Sequence, residues 1–459
     1  MARDSGLSRV DSEFVTTGDN DVTIQVDSSA FSTFNRQMKH SEMPSDKLKD
    51  ADMSSVPIRK VREQLRRIND GEDSYAPHCM PIGPYHLSRS SPWIEKTKQR
   101  STAFLQSLSV EHTESGLTGV MEKLEPLARE CYTSVGDMTP EQSSSMLLRD
   151  ACYLLLFFID YVSGDPAPPA PADDGERSVS RNTLVRDTVF LVENQIPFFI
   201  LQGIHERVTG GATSVLDYIA MPIQELLQQQ LFISRKPRRP PLTCSHLLHL
   251  VHAYFRPTLL PKESTAMCGG KVVTGRWRRA VEYGRYGNVR FIRRDLDDDV
   301  ECSVLDVQLE GGTLWIPCLR VDSNTWTILR NLMALEEQAR RRPVTAYCLF
   351  MSQLACTAED VLLLRRAGIV DHFLGNDEQL SNAFAGLCKG VVLEVDDMDR
   401  NYLKPMWHQL EKRCDSRAQR SMGWFRHGHN WEITAAFLLA VILIVCQVMQ
   451  TFYAVAGSR

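Results

Sequence analysis

None of the twelve cysteines forms a Cys-x-x-Cys pair, which excludes a zinc ribbon and a thioredoxin-like redox site. The chain has no Asn-x-Ser/Thr acceptor and no apolar run behind Met1. No cleavable signal peptide is therefore expected, and the thiols are read as reduced and mostly buried. There is no Gly-x-Ser-x-Gly elbow, no His-Glu-x-x-His and no glycine fingerprint after a strand, so the common hydrolase, metalloprotease and dinucleotide signatures are missing. Gly269-Gly270-Lys271 lacks the earlier glycine and the following Ser/Thr of a phosphate loop. Charge of one sign is scarce too: a net charge of −5 and a pI near 6.2 give no reason to expect a nucleic-acid partner. No cofactor or metal is expected.

What is present is an ordinary core-forming composition, 43% hydrophobic and 24% charged over 459 residues. That length fits about three domains or one large body with disordered ends. Residues 1–55, rich in Ser, Thr and Asp, are expected to be disordered. Residues 56–425 read as a helix-rich body broken by a Pro/Ala/Asp linker near 164–181 and an exposed basic loop at 235–241. Ser91–Leu108 is amphipathic behind a serine cap, Leu147–Val162 is apolar on nearly every face, and Ser245–Phe255 is a further core helix. Asn324–Ala339 continues the pattern. Thr357 and Asp360 have the spacing of a capping box, and Gly368 suits a helix C-terminus. One β signal occurs, the alternation of Ser303–Val321 about Gly311-Gly312, which predicts a hairpin. The expected class is α+β: a large helical body with one small antiparallel sheet.

The C-terminal end adds a long hydrophobic run. Ile433–Ala456 carries no formal charge, and as a helix of about 36 Å it would cross a hydrocarbon core of roughly 30 Å. Trp424 and Trp431 flank one end; Phe452 and Tyr453 mark the other. Between Asp399 and Asn430, seven Lys/Arg stand against three acids. The positive-inside tendency then leaves the body cytosolic, with 426–432 as juxtamembrane segment and 457–459 as a short tail. The basic stretch, including Arg413, Arg417 and Arg420, suits either anionic lipid or a solvated face. Ala436, Ala440, Leu443, Gln447 and Gln450 share a stripe suited to lateral helix packing, so self-association through the membrane helix is expected beside an unnamed protein partner.

Three clusters bear on chemistry. His246, His249 and His252 spread over about 120° of a helix, with no acidic or cysteine partner at ligand spacing. The acids from Asp295 to Glu301 lack the calcium-loop glycine and read as a solvated loop. Arg276, Arg278, Arg279, Arg285, Arg290, Arg293 and Arg294 are expected to pair locally with those acids, or to face a phosphate or acidic partner. The sharpest anomaly is Leu191–Leu201, "LVENQIPFFIL". Three polar residues in an apolar run need partners. Pro197 predicts a helix ending near Asn194 and restarting after the proline, with Glu193, Asn194 and Gln195 serving the freed backbone groups. Bracing of this corner is favoured over catalysis.

These same residues resemble the Asp-x-x-x-x-x-Glu-Asn-Gln-Ile-Pro-Phe-Phe signature of a plant-specific family, domain of unknown function 247. "YAPHCMPIGPYHL", "LLRDACYLL", "SHLLHL", "LWIPCLRVDSNTWTILRNLMALEEQ" and "VTAYCLFMSQLACTAEDVLLLRRAGIVDHFLGND" match in the same order, and the terminal "QTFYAV" fits too. The resemblance implies structural roles for Tyr75, Pro77, Gly83, Pro84, Tyr85, Asp150, Asp187, Glu193, Asn194, Gln195, Pro197, His246, Asn331, Glu336, Asp360 and Gly368. Departures are Pro81 in place of the usual serine, Ala151 and Tyr153 in the Asp150 motif, and Leu156 in place of an acid. The family context implies a membrane-associated plant protein without an established activity. Some grass members are linked to pollen–stigma self-incompatibility, which implies recognition for part of the family. The expected function is an anchored interaction or recognition module; the alternative is a tethered hydrolase-like enzyme using Glu193 with Asp150 or Asp187.

Overall fold

A computed structural model describes residues 56–68, 74–108, 116–163, 180–258 except 212, 237 and 242, 277–391 except 297–299 and 338, 401–415, and the helix at 431–456. The N-terminal segment 1–55, most of the linker near 164–181, Arg276 and Asp297–Asp299 lie outside the described residues.

The body is predominantly helical. Its centre is α4 (Pro140–Ser163), in which the run Ala151–Ile159 is buried all round. An all-apolar surface needs neighbours on every side, and α4 has them: α2 (Pro92–Leu108), α3 (Gly116–Glu130), α6 (Phe198–Thr209) and α7 (Val215–Gln229) pack around it. Before these lies the short α1 (Glu63–Ile68) and, between α4 and α6, α5 (Arg181–Val189). The helix α8 (Leu247–Tyr254) touches α5, α7 and α10 (Thr325–Glu336) and so joins the two halves. The second half adds α9 (Ala280–Gly287), α11 (Pro343–Leu354), α12 (Ala358–Arg366), α13 (Asp377–Leu387) and α14 (Lys404–Asp415).

The predicted hairpin is present as β2 (Gln308–Glu310) and β3 (Thr313–Pro317), antiparallel with Glu310 opposite Thr313. Gly311 and Gly312 take the positive φ of a two-residue turn. The three-stranded sheet is mixed, however: β1 (Arg290–Arg294) pairs parallel with β3, giving the order β1-β3-β2. β4 (Leu319–Val321) pairs parallel with β5 (Val370–His372) as a second, two-stranded sheet. The expectation of a purely antiparallel sheet is thereby corrected. "RFIRR" and "VDH" are too short and too polar to announce strands by alternation; their pairing with the buried β3–β4 run decides them.

Two further expectations change. α5 ends at Val189, not near Asn194, and residues 191–197 form an irregular corner before α6 begins at Phe198. The basic loop does expose Arg235, Lys236 and Arg239, but it buries Arg238, whose guanidinium donates to the carbonyls of Tyr254 (2.7 Å) and Arg256 (3.3 Å). α14 also belongs to the body, with Met406, Trp407, Leu410 and Cys414 buried.

The last helix, α15, runs from Trp431 to Ala456. Ala436, Ala440, Gln447 and Gln450 lie on its exposed described portion. Among the described residues no single helix is long and apolar enough to cross a membrane; the apolar stretch described in α15 is Ala436–Gln450, short of the roughly 20 residues a bilayer needs.

Candidate functional site

The polar residues of the family-like motifs converge on one extended segment, Cys79–Gly83. Asp187 Oδ2 accepts from the backbone N–H of Cys79 (2.6 Å) and Met80 (3.0 Å). Its other oxygen takes Arg186 Nη1 at 2.7 Å. Asn194 Oδ1 accepts from Ile82 N–H (2.7 Å), while Nδ2 donates to the carbonyls of Met80 (2.9 Å) and Asp187 (2.8 Å). Asp150 Oδ2 accepts from Gly83 N–H (2.7 Å), and Oδ1 lies 2.6 Å from Lys98 Nζ. Lys98 also donates to the carbonyl of Pro81 at 2.6 Å. Every N–H of the five-residue strap thus meets a side-chain acceptor except that of Pro81, which has none to offer.

Gly83 closes the strap with φ 71° and ψ −174°, a backbone state essentially confined to glycine. A Cβ there would stand 2.5 Å from the carbonyl oxygen of Gln195. Pro84 then opens a 3₁₀ turn, Pro84–Arg89. Tyr85 Oη donates to the carbonyl of Ile58 at 2.9 Å, and Arg89 donates to that of Pro77 at 3.3 Å. Tyr75 is buried.

Glu193 sits beside the strap, 1% exposed. It accepts from Val61 N–H (2.6 Å), pairs with Arg66, and has His86 Nε2 at 3.3 Å. Burial pushes its carboxyl up, yet the His86, Arg66 and Val61 hydrogen bonds together hold it below the usual range. Asp150 goes the other way: burial lifts it above the usual range despite Lys98 and Gly83. Gln195 Oε1 accepts from Leu248 N–H (3.1 Å) and Nε2 donates to Leu191 O (2.9 Å). The trio does serve backbone groups, but they are mostly those of distant segments rather than of the two flanking helix ends. Pro197 occupies the cap position of α6.

The remaining motif residues do similar work elsewhere. Asn331 accepts from Val192 N–H (2.8 Å) and donates to Ser74 O (2.8 Å). Glu336 accepts from Val344 and Thr345 N–H and bonds His252 Nε2 at 2.8 Å. Thr357 and Asp360 form the expected capping box, with Asp360 also accepting from Val281 N–H (3.0 Å). Gly368 follows with φ 71°. His246 caps α8 by accepting from His249 N–H, and His249 Nδ1 accepts from Ser245 N–H. No group of three or more metal-ligating side chains occurs among the described residues. Among the described residues the arginines divide between remote and local acids. Arg278 pairs with Glu411 and Asp415 and Arg279 with Asp360, while Arg279 also meets Glu282 three positions on and Arg293 pairs with the nearby Asp295, one of the acids expected from the sequence.

A cleft of about 1240 Å³ opens on the body, and its lining includes Phe198, Phe199, Leu216, Arg59, Glu130 and Glu206. It does not include Asp150, Asp187 or Glu193. Burial also pushes up the thiols of Cys79, Cys152 and Cys388, the last two to about 12, which keeps them from acting as thiolates near neutrality.

A family model described as a plant protein of unknown function, DUF247, matches residues 58–446. The chain belongs to this family. A UPF0481 protein of Arabidopsis thaliana is 25% identical over 433 residues, covering 88% of this chain and 87% of the relative. A putative UPF0481 protein of the same plant is 20% identical over 502 residues, covering 90% and 93%. No solved structure gives a significant match.

Sequence reasoning missed four residues of this DUF247 cradle, Arg186 beside Asp187 among them. Lys98 lies on the buried stripe of α2 with Ile94, Thr102 and Leu105, and a lone cation on an apolar face is the signal that marks it. Arg66 and His86 carry no such pattern.

The DUF247 body also buries imidazoles. Burial pushes His205 and His249 down to about 4, and His246, with His249 and His252 nearby, well below its ordinary value. Depressed histidines bind protons in the unfolded chain first, so stability is intact above about pH 6.5 and falls as pH drops toward 4. The expected slope is roughly 1.4 kcal/mol per pH unit for each imidazole. Urea midpoints of the detergent-solubilised chain between pH 7 and 4.5 read it; a flat profile refutes it.

Proposed function

We propose that this DUF247 protein is a membrane-anchored interaction module and not an enzyme. The observation that carries this reading is the commitment of Asp150, Asp187 and Glu193 to backbone N–H groups and buried cations, away from the cleft. A catalytic acid or base needs reach to a substrate proton. The anchoring half is supported by α15, where side chains such as Phe437, Leu438, Ile442 and Ile444 are more than half exposed, and by the uncharged sequence Ile433–Ala456. Such a row is stable only when lipid or another apolar surface covers it. The cytosolic placement of the body rests on the basic residues before it.

Glu193→Gln tests the non-enzymatic half. The amide keeps an acceptor for Val61 but loses its charge toward Arg66 and His86, so destabilisation of about 1.5–3 kcal/mol is expected. An unchanged melting temperature together with loss of a measurable hydrolytic turnover would refute the proposal. Anchoring predicts that the full chain resists alkaline carbonate extraction from membranes; release into the supernatant counts against it.

A further inference from the structure

The geometry points to a lipid-seating face: Arg285, Arg290 and Lys412, with Tyr286 and Ile292 beside them, rest on an anionic bilayer leaflet when the chain is anchored. The inference rests on the anchoring reading above and adds the orientation of the body and the surface it uses.

Three elements meet at this face. α9 packs on α14 so closely that a Cβ on Gly287 would lie 2.8 Å from Cys414 Sγ. Arg413 Nε donates to Gly287 O at 2.8 Å, and its guanidinium covers Gly312. Gly312 O in turn accepts from Arg290 N–H at 3.0 Å. The end of α9, the start of β1 and the last turn of α14 therefore share one corner. Arg413, for which the sequence suits either anionic lipid or a solvated face, instead holds that corner together.

The charge left over is positive. Arg285, Arg290 and Lys412 are exposed and make no ion pair among the described residues. Most acids around them are paired: Glu411 and Asp415 with Arg278, Glu282 with Arg279, and Asp295 with Arg293. Glu310, hydrogen-bonded only by the neutral Gln308, keeps its charge, so three cations stand against one acid. Tyr286 and Ile292 are 37% and 36% exposed, an aromatic and an aliphatic side chain of the kind that settles among headgroups beside cations. An acidic protein would satisfy the charges equally; chain continuity favours lipid. α14 ends at Asp415, and Ser416–Asn430 brings Arg417, Arg420 and Arg426, with no acid, to the start of α15. The corner at the end of α14 is thus the part of the body on the shortest leash to the bilayer, and the leash itself is cationic.

Three cations near an anionic leaflet shift the ratio of seated to lifted bodies about a hundredfold. The full chain and its R285Q/R290Q/K412Q variant, in phosphatidylcholine nanodiscs with and without phosphatidylserine, provide the test by amide hydrogen exchange. Residues 284–294 of the unaltered chain should exchange more slowly on discs containing phosphatidylserine, and the variant should lose that difference while melting at the same temperature. Equal exchange on both compositions overturns the proposal. Protection that needs an added protein instead of anionic lipid overturns it as well. Should carbonate strip the chain from the discs, anchoring has failed, and the strippable pool then decides seating: phosphatidylserine-dependent binding lost in the variant supports it, and equal binding of both chains rejects it.

Discussion

Asp187→Ala should destabilise the protein by about 3–5 kcal/mol, the range for breaking a buried charge pair by removing one partner. The carboxylate is 0% exposed and does three jobs together. It accepts the N–H groups of Cys79 and Met80 and neutralises Arg186, which is itself buried. Alanine leaves the two amides without their acceptor and takes the partner charge from the guanidinium. Asn194 keeps its bonds to the main-chain carbonyls of residue 187 and Met80, which alanine leaves in place, so the loss reads the carboxylate alone. Asp187→Asn retains one acceptor and should fall between alanine and the unaltered chain. Urea unfolding of the detergent-solubilised full chain measures both; a loss under about 1 kcal/mol for alanine would refute the cradle as a stabilising device.

Glu336→Ala is expected to produce a comparable loss, about 3–5 kcal/mol. The first turn of a helix leaves N–H groups without partners. In α11 the cap residue Arg342 makes no side-chain cap bond, and Pro343 at the first position has no N–H. Glu336, on the preceding helix, supplies the missing acceptors: Oε1 to Val344 N–H at 2.9 Å, and Oε2 to Thr345 N–H at 2.8 Å and Thr345 Oγ1 at 2.7 Å. It also fastens α8 through His252. One carboxylate therefore ties three helices. Protection of the α11 amides in hydrogen exchange should drop in the variant before that of α4 does; uniform loss across the body would show that Glu336 acts only through global stability.

How much of this could be read from the residues depends on whether their signal is local. The core helix α4, the turn at Gly311-Gly312 and the box at Thr357-Asp360 declare themselves through periodicity, paired glycines and cap spacing, and each appears where expected. β1 and β5 do not, because strands of five and three residues take their identity from a partner over twenty residues away in the chain. The corner after Val189 fell between these cases. Proline located the break, but the early end of α5 follows from Asn331 capturing Val192 N–H at 2.8 Å, a contact across 139 positions with no local trace. The polar trio was recognisably in need of partners; the strap that meets that need was not.

The cradle also sets an order of events during synthesis. Cys79, Met80 and Ile82 lie 107 to 112 positions ahead of the side chains that bind them. At about 5–20 residues per second, they are polymerised roughly 5–20 seconds before those side chains are. During that interval the amides of Met80 and Ile82 have no acceptor from the cradle, so the nascent N-terminal portion is a natural client for a chaperone until the Glu193 corner has emerged.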